Sequence, residues 1–194
     1  LWQKSYRKGA VEMSSQDKTP GARTSGNSYA LRTKRLSLSA ILAAMAMILS
    51  YIEALIPMPV PVPGIKLGLA NLIVIIAIYK LGFKYAFIIN CGRILTAGLL
   101  FTGVFGIIYS MAGGILSILV MYILYKSRIF GTVGISMAGG VLHNFGQLIM
   151  ACIIMSNVRL MSYFSVLLFS GMLSGILIGV VAHLVMAKLP HLKI

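Results

Sequence analysis

The sequence predicts an all-α membrane protein with six transmembrane helices. Apolar residues make up 59% of the 194-residue chain and charged residues only 10%, whereas a soluble domain typically carries about 25% charged residues. A soluble fold of this size would lack enough charge to cover its surface, but lipid removes that requirement. Six apolar stretches, joined by short polar or basic connections, set the predicted helix number.

The first apolar stretch covers residues 36–56 and leads into Pro57–Gly64, where proline recurs at every second position. Alternating prolines cannot form a helix and favour an extended polyproline path. A spanning helix needs about 20 residues, so the second stretch is slightly short. The remaining stretches are predicted at residues 66–81, 84–101, 103–125, 132–155 and 162–187.

The predicted membrane domain covers residues 35–188. Residues 1–34 are polar and rich in Ser, Gly, Lys and Arg, which is typical of a disordered basic tail. Residues 1–12 precede the first methionine, Met13, and carry no fold expectation. Residues 189–194 are expected to form a short cytoplasmic carboxyl terminus.

The basic residues predict that both ends of the chain lie in the cytoplasm. With an inside amino terminus, only Lys66 and Arg159 flank the apolar stretches on the outer side. This bias follows the positive-inside rule and explains the net charge of +14 without a nucleic-acid partner. Nine basic residues fall on the inner side: Arg32, Lys34, Arg35, Lys80, Lys84, Lys126, Arg128, Lys188 and Lys193.

Polar residues within the apolar stretches predict a binding site, because charges in hydrocarbon usually face a cavity or a partner. Arg93 lies nine residues after Lys84, or about 13 Å into the membrane at 1.5 Å per residue. Either it pairs with Glu53, the only carboxylate of the membrane domain, or it binds an anionic or oxygen-rich ligand. The predicted substrate-binding residues are Glu53, Lys66, Asn71, Arg93, His143, Asn144 and Gln147.

Each of these residues also has a structural interpretation. Glu53 and Lys66 are compatible with charges at the water interface, and Asn71 and Asn90 with hydrogen bonds between helices. His143 is compatible with a buried imidazole whose hydrogen bonds are satisfied within the protein.

Small residues predict close helix packing, since lipid gives no hydrophobic drive for association. The glycines of the fourth, fifth and sixth stretches favour packing within the chain. On the first stretch, Ala40 and Ala44 are four residues apart on a face without polar residues, so docking to a separate membrane partner is plausible there. The glycines are Gly113, Gly114, Gly139, Gly140, Gly146, Gly171, Gly175 and Gly179.

Several classes of chemistry lack their residues. No phosphate-binding loop of the G-x-x-x-x-G-K-[ST] type occurs, so the chain carries no ATPase motif. No Asp follows Asp17, so a di-aspartate magnesium site is absent from the membrane domain. Cys91 and Cys152 fall inside apolar stretches and do not indicate a metal site. We therefore predict no catalytic residue, no cofactor and no metal.

Several runs resemble the Gx transporter family, whose members are also described as heptaprenyl diphosphate synthase component I. The most specific are Lys-Leu-Gly-Leu-Ala-Asn within Pro63–Asn71 and His-Asn-Phe-Gly-Gln within Gly139–Leu148. Further matches are Gly92–Leu95 and Ser110–Ser117, and the resemblance covers residues 36–187.

The family is similar to the substrate-binding S components of energy-coupling-factor importers. The resemblance implies a six-helix bundle in a bacterial plasma membrane, with the ligand bound under Pro57–Gly64 as a gating loop. Ala40 and Ala44 would dock to a coupling membrane protein that carries two ATPase subunits. An isoprenoid, a quinone precursor or another anionic small molecule would be the substrate.

The family description also supplies an alternative. The chain would then be the membrane component of a polyprenyl diphosphate synthase, acting beside a soluble prenyl synthase subunit. Prenyl transfer normally uses aspartate-held magnesium, which this membrane domain lacks, so catalysis by the chain alone is not expected. A lone secondary transporter is a third option.

Overall fold

The computed structural model describes residues 20–55 and 68–188, and every regular element in these ranges is helical. The chain divides into two units, Leu1–Ser37 with Ile194, and Leu38–Lys193. The described α-helices are α1 (Pro20–Leu55), α2 (Asn71–Leu81), α3 (Phe83–Ala97), α4 (Gly103–Ser127), α5 (Thr132–Ile154) and α6 (Phe164–Lys188).

Four helical runs within the described residues are long and apolar enough to cross a membrane: Leu31–Leu55, Phe83–Ser127, Thr132–Ile154 and Val158–Lys188. This confirms an all-helical, multi-pass membrane protein. The loop predicted at Pro57–Gly64 lies outside the described residues, as do residues 1–19 and 189–194.

The structure differs from the sequence prediction at the amino-terminal end of α1. Residues 20–34, expected to be disordered, continue the helix from Pro20. Proline is well suited to the first turn of a helix because its missing N–H has no acceptor there. Once the apolar part of the helix is formed, adding residues such as Ala22, Leu31 and Arg32 avoids the unfavourable nucleation step.

The run Phe83–Ser127 folds back on itself at a π-helical turn, Gly98–Thr102. The side-chain Nδ2 of Asn90 donates to the carbonyl oxygen of Gly114 at 3.2 Å, although these residues would be about 36 Å apart in a straight helix. The turn ends at Gly103, whose φ of +71° and ψ of −178° strongly favour glycine. The stretches predicted at 84–101 and 103–125 therefore form the two legs of a helical hairpin.

The short helix α2 is surrounded by the other helices. Its 11 residues extend about 16 Å, roughly half the thickness of the hydrocarbon core. The run from Ile73 to Ile78 is buried throughout, and a helix that is apolar on all sides belongs in such an interior position. Asn71 at its first position is thus held in the middle of the protein.

Glycines bring α5 into backbone contact with both of its neighbours. A β-carbon at Gly146 would lie 2.8 Å from the Cα of Gly113 in α4, and one at Gly175 would lie 2.6 Å from the Cα of Met137 in α5. A β-carbon at Gly171 in α6 would lie 2.9 Å from the carbonyl oxygen of Gly140 in α5. These glycines serve packing within the chain, and the tight α4–α5–α6 assembly positions the polar residues of α5.

Candidate functional site

Arg93 of α3 is buried at 9% exposure and lies among uncharged amides. Its Nε donates to Oδ1 of Asn90 at 3.2 Å, and its Nη2 donates to Oδ1 of Asn71 at 3.3 Å. Asn90 in turn donates to Gly114 of α4. The guanidinium therefore connects α2, α3 and α4 and is satisfied by side chains rather than by the lipid surface.

Glu53 is buried at the carboxyl-terminal end of α1 rather than exposed to water. Its Oε1 accepts a hydrogen bond from the backbone N–H of Gly68, just ahead of α2. The carboxylate also acts electrostatically on Arg93. Two buried charges of opposite sign thus offset each other, which reduces the unfavourable free energy of placing either one in a low dielectric.

A small polar cavity lies between α2, α5 and α6. Its enclosed part is about 10 Å³, room for about one water molecule, and the empty space that includes the opening to the outside is about 240 Å³. Three predicted site residues line it, and it contains no charged Asp, Glu, Lys or Arg side chain among the described residues. The lining residues are Gly68, Asn71, Ser136, Gly140, His143, Asn144, Ser174, Gly175 and Ile178.

Two asparagines meet at this cavity from different helices. Asn71 begins α2 and accepts the hydrogen bond from Arg93. Asn144 of α5 donates from Nδ2 to the carbonyl oxygen of Leu167 in α6 at 3.0 Å. Each amide therefore has one end anchored to the protein, and both line the cavity.

Gln147 lies one turn beyond His143 on α5 but does not line the cavity. It is 5% exposed, and neither its Oε1 nor its Nε2 has a hydrogen-bond partner within the described part of the chain. It packs close to Gly113, where a β-carbon would lie 2.9 Å from its Cγ. Gln147 is thus at the α4–α5 interface, beside the site rather than within it.

The remaining predicted residues lie elsewhere. Lys66 is outside the described residues, so its role stays a prediction. Ala40 and Ala44 are exposed on α1, on the side opposite its buried residues Leu42 and Ala46. Their exposure leaves this face open to lipid or to a membrane partner.

Sequence reasoning missed the two serines of the cavity. Ser136 precedes Gly140 by four residues and His143 by seven, so all three share one face of α5. Extending the polar face of His143 upstream by two turns would have identified it. Ser174 lies between Gly171 and Gly175, where the glycine spacing drew attention to packing alone.

No group of three or more His, Cys, Asp or Glu side chains able to hold a metal ion occurs within residues 20–55 and 68–188. The cavity supplies hydroxyl, amide and imidazole groups instead. Such groups bind and orient a ligand by hydrogen bonding, which is typical of a recognition site.

The helices and the cavity define the class of protein as a multi-pass helical membrane protein with a buried polar cluster. No curated protein and no solved structure matches the chain. The family described as heptaprenyl diphosphate synthase component I matches residues 42–185. The match covers most of the chain, so the protein belongs to this family.

Proposed function

We propose that the chain is a membrane-embedded solute-binding subunit, similar to the S components of energy-coupling-factor importers, that binds a small molecule in the cavity between α2, α5 and α6. The supporting observation is the set of polar side chains from three helices that line one cavity, buried on α2 and α5 and half-buried at Ser174 of α6. Buried polar groups in a membrane are unfavourable unless they are satisfied, so their convergence favours a ligand. The polar head of this molecule would lie there, and any apolar part would extend towards lipid.

The proposed topology has six crossings with both termini in the cytoplasm. The fold-back at Gly98–Gly103 supports it by separating α3 from α4. Membrane-impermeant thiol reagents test it: in intact cells Arg159→Cys should be labelled and Ser127→Cys should not, although both positions are exposed. Labelling of Ser127→Cys from outside would reverse the orientation.

Inward transport would require a coupling membrane protein with two ATPase subunits, docked at Ala40 and Ala44. Affinity purification from the native membrane should recover these subunits with the wild type. Ala40→Leu with Ala44→Leu should lose them without lowering stability, because both side chains are exposed. Val104→Phe, which adds bulk at another exposed position, should retain them.

The binding role itself is tested by mass spectrometry of small molecules retained after gentle purification. A molecule retained by the wild type and lost on substitution of Asn71 or Ser136 would support a solute-binding site. If both variants retain the molecule as well as the wild type does, the solute-binding site is refuted. Uptake into liposomes holding this chain alone would instead identify a secondary transporter.

A second candidate follows from the family description, in which the chain is a membrane component of heptaprenyl diphosphate synthesis. It would hold a soluble prenyl synthase subunit at the membrane. Purified chain with prenyl diphosphates and magnesium should form no product alone, and co-purification with a soluble synthase would favour this function over import.

A further inference from the structure

The two asparagines of the cavity have defined orientations, because each is anchored by a group that can only donate or only accept. Arg93 has no acceptor, so the atom of Asn71 that it contacts must be Oδ1. The carbonyl of Leu167 cannot donate, so the atom of Asn144 that it contacts must be Nδ2. These assignments come from the chemistry of the partners.

The opposite ends of both amides are left for the cavity. Asn71 then presents its Nδ2 donor, which lies on the side of Gly68, another lining residue, with 3.3 Å between Nδ2 and a β-carbon built at Gly68. Asn144 presents its Oδ1 acceptor. Within the described residues neither atom has a hydrogen-bond partner, although the two side chains are only 6% and 3% exposed.

The cavity also presents hydroxyl groups. Ser136 is 4% exposed and its Oγ, which can donate and accept, has no partner in the described ranges. Ser174 donates to Gly171 at 3.3 Å, which leaves its lone pairs as acceptors. The lining therefore offers both donors and acceptors, and a bare anion would match only the donors.

The charges near the cavity also favour a neutral ligand over an anion. Arg93 does not line the cavity, and it is offset by the buried carboxylate of Glu53. Its two hydrogen bonds hold Asn71 and Asn90 rather than reaching the cavity. Arg93 is thus a positioning residue that sets the orientation of Asn71, and among the described residues no Lys or Arg side chain lines the cavity to offset an anion.

We infer that the ligand places in this cavity a neutral group carrying both a hydrogen-bond donor and an acceptor, such as an amide, imide or lactam, with Asn71 Nδ2 donating to its acceptor and Asn144 Oδ1 accepting from its donor. The inference rests on the proposed solute-binding function and narrows its substrate class. A carboxylate or diphosphate head would leave the Asn144 acceptor without a donor.

Matched neutral and anionic probes test the inference. Nicotinamide and benzamide carry adjacent donors and acceptors, while nicotinate and benzoate carry a carboxylate in place of the amide on the same rings. Saturation-transfer NMR on the full chain in nanodiscs should detect binding of at least one neutral probe, with its carboxylate counterpart weaker by about tenfold or more, since an unpaired buried acceptor is unfavourable.

Two aspartate variants provide the sharpest comparison. Asn71→Asp retains the pairing with Arg93 but replaces the donor that faces the cavity with an acceptor, so it should abolish binding of the neutral probe. Asn90→Asp places the same charge against the same guanidinium outside the cavity, with loss of its hydrogen bond to Gly114, and should retain binding when it folds. If either aspartate variant fails to fold, Ser136→Ala should weaken binding whereas Ser117→Ala, whose hydroxyl bonds to Gly139 outside the cavity, should not.

The outcomes separate this inference from the proposed function. Preferential binding of the carboxylate probes, lost in Asn71→Asp, would overturn the neutral class while leaving a solute-binding site in place. Equal binding by wild type and Asn71→Asp, or no binding of any neutral probe, would overturn the assignment of this group to the cavity. If the purified wild type also retains no small molecule, the solute-binding function itself fails.

Discussion

Gly171→Ala tests whether the α5–α6 contact depends on the absence of a side chain. The new methyl carbon would lie 2.9 Å from the carbonyl oxygen of Gly140 and 2.9 Å from the Cα of Val141. Ordinary van der Waals contact begins near 3.4 Å, so the helices must separate by about 0.5 Å. Both neighbouring atoms belong to the backbone of a packed helix and cannot move aside by changing rotamer.

The loss of unfolding free energy expected for Gly171→Ala is estimated against a matched control. Gly92→Ala makes the same change on the exposed face of α3, where nothing lies within 4 Å of the new carbon. Both substitutions raise the free energy of unfolding by about 0.5–1 kcal/mol because alanine restricts the unfolded chain. The difference in unfolding free energy between the two variants therefore measures overpacking alone, about 1–3 kcal/mol. Gly171→Ala should therefore have a folding equilibrium constant about 5- to 150-fold lower than Gly92→Ala.

Reversible unfolding in mixed micelles, followed by far-ultraviolet circular dichroism during a titration with sodium dodecyl sulfate, measures this difference. Gly92→Ala should unfold at or above the wild-type midpoint and Gly171→Ala clearly below it. Equal unfolding free energies for the two variants would refute backbone contact between α5 and α6 at this position.

Three further predictions concern the hairpin, the α4–α5 interface and the buried cation. Gly103→Ala should lower the unfolding free energy by about 1–3 kcal/mol in the same titration, because alanine strongly disfavours this backbone conformation; an unchanged value would contradict the turn geometry. Ser117→Ala should cost about 0.5–1.5 kcal/mol through loss of its 2.8 Å bond to Gly139, with the retained small molecule unchanged in mass spectrometry. Arg93→Ala should lose that molecule and also destabilise the fold by about 1–3 kcal/mol, since it removes the buried hydrogen bonds to Asn71 and Asn90; Arg93→Lys keeps the charge but not the forked donor geometry and should be less destabilised. A fully stable Arg93→Ala that still retains the molecule would contradict the positioning role.

The helices were predictable because a helix that crosses the membrane must be apolar and about as long as the hydrocarbon core is thick. Both properties can be read from the sequence. The sequence prediction was incomplete where the structure depends on more than local composition. The start of α1 at Pro20 depends on propagation from a helix already formed, and composition alone assigned the preceding polar residues to a disordered tail. The contact between Gly98 and Ile107 that closes the hairpin depends on tertiary structure.

The prediction of Arg93 as a site residue rested on the rule that a buried guanidinium requires acceptors. The structure buries Arg93 against two acceptors, and its role in binding stays a prediction. Its hydrogen-bond acceptors are amides, however, and the i, i+3 spacing of Asn90 and Arg93 was the feature that could have identified one of them. The cavity residues Ser136 and Ser174 were missed because serine is common in membrane helices, and only three-dimensional convergence distinguishes a lining hydroxyl from a packing one.

The hairpin between α3 and α4 has a consequence for biosynthesis. From Gly98 to Ile108 the sequence contains no charged residue, whereas moving one charged side chain to the middle of a bilayer costs about 2.5–3.5 kcal/mol during insertion. The tip can therefore pass through the hydrocarbon without such a barrier. We expect the two legs to enter the membrane together as a preformed pair, with Asn90 and Gly114 already joined before α5 is synthesised.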